Sequence, residues 1–266
     1  MKSRPAAVAG LFYPDHPTEL RELVSGYLRD AKTPARADTW PKAIIAPHAG
    51  YMYSGPVAAS AYALLKPARG KVSCVLLLGP AHRYPVEGLA VSSAEMFATP
   101  LGPVQVDRAA VADALTLPAV SVCDEAHAPE HALEVHLPFL MEVLGDFKVV
   151  PFAVGKATAQ EVAAVLEKLW GGPETLIVIS SDLSHFLHYD QAREVDGLTA
   201  KAIERLAPED IGYHQACGRV PVNGLLTVAQ KKGLRAKTVD LRNSGDTAGP
   251  RDNVVGYGAF IFEPSQ

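Results

Sequence analysis

Short apolar runs alternate with helix-like segments along most of the chain. Near-continuous apolar runs predict strands covered on both faces, and segments with apolar residues at helical spacing predict helices. The predicted strands are 42–47, 71–80, 87–93, 147–155, 174–182, 235–244 and 253–263. The predicted helices are 55–66, 106–115, 129–145, 157–171, 190–206 and 222–233. This alternation is typical of an α/β fold with a central, mostly parallel or mixed sheet flanked by helices.

Local signals refine this pattern at three places. Pro138 lies inside the predicted helix 129–145, where it predicts a kink or a break. Thr158 is a candidate N-cap for the helix 157–171. A loop rich in Gly, Asp and Pro joins the last two strands, which could therefore pair antiparallel. The composition does not shift along the chain, so we expect residues 1–266 to form a single domain.

The composition excludes several classes of protein. The chain has 266 residues, of which 48% are hydrophobic and 20% charged, as expected for a globular protein with a sizeable core. The net charge is −4 and no cluster of lysine and arginine stands out, which argues against a nucleic-acid binder. We find neither a signal peptide nor an apolar run of about 18 residues, so we expect a cytoplasmic protein without a membrane segment.

Three predicted strands end in a histidine-containing segment. His48 follows the strand 42–47, His82 follows 71–80, and Asp182 and His185 follow 174–181. Each histidine taken alone could be a structural residue with satisfied hydrogen bonds. Ligands of open α/β sheets bind outside the carboxyl ends of the strands, however, and imidazole is the commonest metal ligand. The shared position therefore predicts a pocket in which His48 is a metal ligand or an acid/base.

A second histidine-rich segment, "PEHALEVH" (129–136), carries Glu130, His131, Glu134 and His136. Glu130 and Glu134 would share one helix face. The segment matches neither HExxH nor an EF-hand loop. We expect a supporting role for it, in which a carboxylate orients a ligating imidazole.

The three cysteines are far apart and form no CxxC motif, so a disulfide framework is not expected. Cys74 lies in an apolar strand, which predicts a core position, and Cys123 has no assignment. Cys217 lies in a predicted turn between helices, followed by Gly218 and a helix-breaking Pro221. It is either a ligand or a small buried side chain. A thiolate combined with two imidazoles would select iron, copper or zinc over magnesium or calcium.

Other catalytic motifs find little support in the sequence. No GxGxxG motif and no P-loop lysine are present, so nucleotide binding is not indicated. The segment "SSDLSH" contains serine, aspartate and histidine but has no GxSxG frame, which makes a serine hydrolase a weak hypothesis.

Seven blocks, in order along nearly the whole chain, resemble the Memo family, whose prokaryotic members are called AmmeMemoRadiSam system protein B. They are "AVAGLFYP" (7–14), "APHAGYMYSG" (46–55), "LLGPAHRY" (77–84), "EHALEVHLPFL" (130–140), "SSDLSHF" (180–186), "CGRVPV" (217–222) and "GDTAG…VVGYGAF" (245–260). The resemblance implies the fold of LigB-type class III extradiol dioxygenases, which are non-haem iron(II) enzymes.

The resemblance also implies a metal site on His48, His82 and Cys217. The dioxygenases would have a glutamate at the position of Cys217, and a soft thiolate there changes the preferred metal and its redox tuning. Ring cleavage therefore does not carry over with the fold. Asp182 and His185 match pocket residues of the family, and the histidine would act as an acid/base beside the metal.

Further pocket residues follow from the same resemblance. Phe12 and Tyr53 match the aromatic wall of the pocket; animal relatives have a tryptophan at the first position, so a peptide-binding role does not carry over directly. Tyr51 is a further wall candidate. Glu134 and His136 are the remaining pocket candidates, and Glu134 or Asp182 would orient His185.

These expectations lead to one principal function and two alternatives. The principal hypothesis is a metal-dependent redox protein with Fe(II), or copper or zinc, that takes a small-molecule or peptide ligand. The family name points to gene neighbours that include a radical-SAM protein, which suggests a shared pathway. The alternatives are a zinc hydrolase on the same site and a non-catalytic module that docks a partner in the same pocket.

Overall fold

A twelve-stranded mixed sheet lies at the centre of the computed structural model, which describes residues 2–33 and 38–265. The strands are β1 (Ser3–Arg4), β2 (Ala43–Ala46), β3 (Cys74–Pro80), β4 (Leu89–Val91), β5 (Met96–Thr99), β6 (Gly102–Val106), β7 (Val120–Val122), β8 (Lys148–Val154), β9 (Thr175–Ser180), β10 (His185–Leu187), β11 (Leu234–Asn243) and β12 (Val254–Pro264). The α-helices of the described residues are α1 (Pro17–Asp30), α2 (Tyr51–Tyr62), α3 (Arg108–Ala114), α4 (Asp124–His127), α5 (Leu137–Leu144), α6 (Ala159–Lys168), α7 (Tyr189–Glu204), α8 (Arg219–Lys231) and α9 (Ser244–Thr247).

The strand order places the site-bearing strands side by side. Along the main path the order is β1-β5-β6-β8-β3-β9-β2-β12-β10, with β11 paired to β12 and β4 paired to β7 and β8. The strands β8, β3, β9 and β2 run parallel, and β12 is antiparallel to β2. Because β3, β9 and β2 are adjacent and parallel, the segments that follow them emerge at one edge of the sheet.

Several predictions from the sequence are confirmed. The described residues form a single α/β domain with a mixed sheet flanked by helices, and the central strands are almost entirely buried, as their continuous apolar runs require. The strands β11 and β12 pair antiparallel. Thr158 is the N-cap of α6 and forms a capping box with Glu161. None of the helices in the described part of the chain is long and apolar enough to cross a membrane.

The predicted helix 129–145 is wrong in its first half. A short 3-10 helix covers Glu134–His136, and the α-helix begins only at Leu137. Pro138 lies in the first turn of α5 and causes no kink, because the amide of a first-turn residue has no partner within the helix. Glu130 and Glu134 therefore do not share a helix face.

Other helix starts also differ from the predictions. The helix α2 begins at Tyr51 instead of residue 55, and Pro56 lies inside it. The helix α8 begins at Arg219, so Pro221 occupies its first turn and does not terminate a helix. The helix α1 was not predicted, and neither were the short strands β1, β5, β6, β7 and β10. Short strands carry too few residues for an apolar period to show.

Candidate metal centre

His48 follows β2 and is held rigidly in a buried position. Its backbone N–H donates to Asp182 Oδ1 at 2.7 Å, and its Nδ1 atom lies 2.6 Å from Ser180 Oγ. The Ser180 hydroxyl donates to the carbonyl of Ala132 at 2.6 Å. Because a hydroxyl has one proton, Ser180 must accept from His48, so Nδ1 carries the proton and Nε2 presents its lone pair. Burial and the neighbouring histidines hold the pKa of His48 well below its usual range, which favours the neutral, ligating form.

His82 follows β3 and is oriented by Glu130. Its Nδ1 atom lies 2.9 Å from Glu130 Oε1, and its backbone N–H donates to the other carboxylate oxygen. The carboxylate also accepts from the amides of His131 and Ala132. Burial alone would raise the pKa of Glu130, but the bond to His82 and the amide donors lower it to about 2. The ionised carboxylate thus fixes the proton on His82 Nδ1 and leaves Nε2 as the free ring nitrogen.

His131 completes a cluster of three imidazoles. Its ring stacks on the ring of His82 with centroids 4.9 Å apart, and its centroid lies 5.5 Å from that of His48. One candidate ligand atom from each of the three histidines lies within 4.8 Å of the others, so the cluster could hold one metal ion. The sequence alone did not identify His131 as a ligand. Its only signal was its position next to the carboxylate Glu130, inside a segment that was predicted as a helix.

Cys217 meets His48 at the base of the cluster. Its Sγ atom lies 3.3 Å from His48 Nε2 and accepts from the backbone N–H of Asp182 at 3.3 Å. Burial and the charge of Asp182 raise the pKa of the thiol. The cysteine also precedes the N-terminus of α8, whose dipole favours a thiolate. A bound cation would displace the thiol proton here, because metal ligands bind deprotonated.

Asp182 and His185 lie beside the cluster in different roles. The Asp182 carboxylate accepts from the amide of His48, and burial raises its pKa. His185 Nδ1 lies 2.8 Å from the carbonyl of Leu183. That carbonyl, and neither Asp182 nor Glu134, orients the ring of His185. The ring is half-buried, and this hydrogen bond uses Nδ1 and not Nε2.

A cavity of about 850 Å³ opens from the cluster to the surface. His131 and Asp182 connect it to the histidines, and the predicted wall residues Phe12, Tyr51 and Tyr53 all line it. Tyr51 is buried, and its hydroxyl donates to the carbonyl of Val135. The aromatic side chains therefore form a mainly apolar chamber beside the imidazoles.

Glu134 and His136 do not line this cavity. Glu134 is fully buried, pairs with Arg4 and accepts hydrogen bonds from the amides of Ala7 and Val8 and from Tyr13. A buried carboxylate needs such donors, and these ones come from the N-terminal segment. His136 Nδ1 lies 2.8 Å from the hydroxyl of Tyr62, and burial lowers its pKa to about 3. The structure thus places both residues in the buried interior and not in the lining of the cavity.

The fold and the cluster define an α/β protein with a candidate metal centre at the carboxyl edge of its parallel strands. A family model described as "Memo-like protein" matches residues 4–261. The chain therefore belongs to the Memo family, which confirms the resemblance found in the sequence.

Two relatives agree with this assignment, and a solved structure shares the fold. A "MEMO1 family protein" of Methanosarcina acetivorans is 37% identical over 99% of this chain and 100% of its own length. A "MEMO1 family protein" of Aquifex aeolicus is 35% identical over 98% of this chain and 100% of its own length. The crystal structure of uncharacterized protein JW3007 from Escherichia coli K12 matches with a TM-score of 0.52, covering 84% of this chain and all of that one. At 12% identity this likeness concerns the fold alone.

Proposed function

We propose that this protein is a metal-dependent oxidoreductase whose metal is held by His48, His82 and Cys217. One observation carries the proposal: the Sγ atom of Cys217 lies 3.3 Å from the unprotonated Nε2 atom of His48, which is itself a member of the histidine cluster. His131 lies within reach of the same ion. The relation to class III dioxygenases that the resemblance implies supports this class of chemistry.

The donor set fits a redox-active transition metal. Imidazoles and a thiolate select iron, copper or zinc over magnesium and calcium, which prefer oxygen. Of these we propose iron(II), with copper as the second choice. Such an ion would supply one-electron redox chemistry to a substrate in the adjoining cavity.

The surrounding residues would prepare the substrate. His185, fixed through its Nδ1–H to the Leu183 carbonyl, would take or give a proton at Nε2. Phe12 and Tyr53 would exclude water from the substrate side of the cluster. Glu130 and Ser180 would hold the two imidazoles in the correct tautomer.

Metal analysis of protein purified without oxygen tests the proposal. We expect iron bound in the wild type and loss of most of it in His48→Ala, His82→Ala and Cys217→Ser. Cys74→Ser is the matched control, since Cys74 lies in β3 away from the cluster. His131→Ala, measured in the same series, decides whether the third imidazole is a ligand. Metal content unchanged in His48→Ala and Cys217→Ser would refute the site.

The three-imidazole cluster also supports a second candidate, a zinc hydrolase. Three imidazoles would hold zinc and leave its fourth tetrahedral position open for a water. Zinc has no d–d spectrum and no oxygen dependence, so visible spectra recorded with and without oxygen separate the two candidates. A colourless protein with bound zinc and unchanged spectra would favour the hydrolase.

A further inference from the structure

The charges that line the cavity are few. Among the described residues that line it, Arg83 carries the only guanidinium or ammonium group and Asp182 the only carboxyl group, and His131 adds an imidazole. Asp182 is already engaged by the backbone amide of His48. Arg83 directly follows the cluster residue His82, and it has no hydrogen bond or ion pair with any described residue. A guanidinium is thus free at the metal end of a largely apolar chamber.

The apolar lining continues out of the cavity. Phe12, Tyr53 and Tyr257 lie along it, and Leu11 and Met52 lie at its rim with 81% and 59% of their surface exposed. Large exposed apolar side chains next to a cavity mark a surface that is covered when a ligand binds. The chamber therefore has one cationic end and one long apolar side.

Resting on the proposed function, we propose that the ligand of this site is an amphipathic organic acid. Its carboxylate pairs with Arg83 beside the histidine cluster, and its apolar body lies along Phe12 and Tyr53 towards Leu11 and Met52. A planar guanidinium matches the two oxygens of a carboxylate and can donate a hydrogen bond to each of them. A neutral amide of the same shape has one oxygen acceptor and no charge. It therefore replaces fewer of the hydrogen bonds that the guanidinium makes to water, and this loss costs binding free energy.

Two pairs of probes test this inference: 4-phenylbutyrate with 4-phenylbutanamide, and octanoate with octanamide. Calorimetric titration of the wild type should show that each acid binds at least about tenfold more tightly than its amide. Arg83→Gln should abolish this preference and leave the affinity for the amides unchanged. Arg29→Gln, an exposed arginine on α1, is the matched control and should behave as the wild type.

The apolar part of the inference has its own variant. Met52→Ser should weaken the acid and the amide of each pair by the same factor, because it removes apolar contact and no charge. Equal affinity for acid and amide in the wild type, a preference that survives in Arg83→Gln, or no binding of any probe would overturn the inference.

Metal content measured on the same samples separates this inference from the proposed function. Arg83→Gln should keep the full metal content while it loses the preference for acids. A preference for acids that persists in metal-free His48→Ala protein would support the inference even if no redox activity exists.

Discussion

The Nδ1 atom of His48 lies 2.6 Å from the Oγ atom of Ser180, a residue 132 positions away in the chain. The Ser180 hydroxyl donates its one hydrogen bond to the Ala132 carbonyl, so it can only accept from the imidazole. Ser180 thereby sets the tautomer of His48 and turns its Nε2 atom towards Cys217. In the sequence, Ser180 stood out only as part of the block "SSDLSHF" (180–186), with no role assigned to it.

Ser180→Ala should weaken the site without removing a proposed ligand. The variant leaves a buried N–H without an acceptor, so we expect a loss of about 1–3 kcal/mol in the free energy of unfolding. Metal affinity should fall by about 10- to 100-fold, as for other partners of ligating histidines. Urea unfolding and metal competition measure the two effects. Ser60→Ala, a buried serine on α2, is the control and should leave metal affinity unchanged.

Glu130→Gln should disturb His82 more than it disturbs the fold. The carboxylate accepts from the His82 ring, from its amide and from two further amides, and a glutamine has only one oxygen to offer. We expect metal affinity to fall by about 10- to 100-fold. Glu167→Gln removes a carboxylate from the surface pair with Lys231 and should leave metal affinity unchanged. Wild-type affinity in Glu130→Gln would contradict the orienting role.

Asp196 should make the stability of the protein depend on pH. This buried carboxyl of α7 accepts from the amide of Ser184, and burial raises its pKa from 3.8 to about 6. Because its pKa is higher in the folded state, the folded protein binds the proton more tightly. The free energy of unfolding therefore increases as the pH falls below about 6, and the increase is complete below 3.8. It amounts to about 3 kcal/mol.

The comparison with Asp196→Asn isolates this effect, since all other titrating groups are shared. The unfolding free energy of the wild type minus that of the variant should increase between pH 7 and pH 4. A difference that stays constant over this range would show that Asp196 titrates normally.

Gly218→Ala should displace the segment that carries Cys217. An added Cβ atom would lie 2.5 Å from the backbone oxygen of Ser180 and 2.7 Å from Ser181 Cβ, so the chain must move. We expect a destabilisation of about 1–3 kcal/mol and reduced metal content. Gly197→Ala is the control, because an added Cβ there meets no described atom within 4 Å and α-helical alanine stabilises by about 0.5–1 kcal/mol. Full metal content in Gly218→Ala would contradict the placement of Cys217.

The sequence predicted the part of the site that depends on strand order. His48, His82 and Asp182 follow buried strands, and parallel strands deliver such residues to one edge of the sheet. Applying this rule requires only the local strand patterns and the fold class. For that reason the sequence could bring together His48, His82 and Asp182, which are far apart in the chain.

The positions of His131 and Glu134 could not be predicted from local patterns, because long-range contacts fix the path of their segment. Glu130 is tied to His82, and Glu134 is tied to Arg4 and Tyr13 near the N-terminus. Helical spacing of the charged residues suggested a regular helix, but the buried donors impose a different path. Cys217 was undecided from spacing alone, and its position next to His48 follows from the packing of α8 behind β9 and β3.

The central position of β9 has a consequence for the order of folding. His48 reaches Ser180 across 132 residues and Cys217 across 169, and β9, which carries Ser180, lies between β2 and β3. Contacts that close such long loops form slowly, because the chain loses conformational entropy before the stabilising contacts are made. During synthesis, a nascent chain that lacks β9 and α8 holds three histidines without their common geometry. We therefore expect the cluster to assemble late in folding.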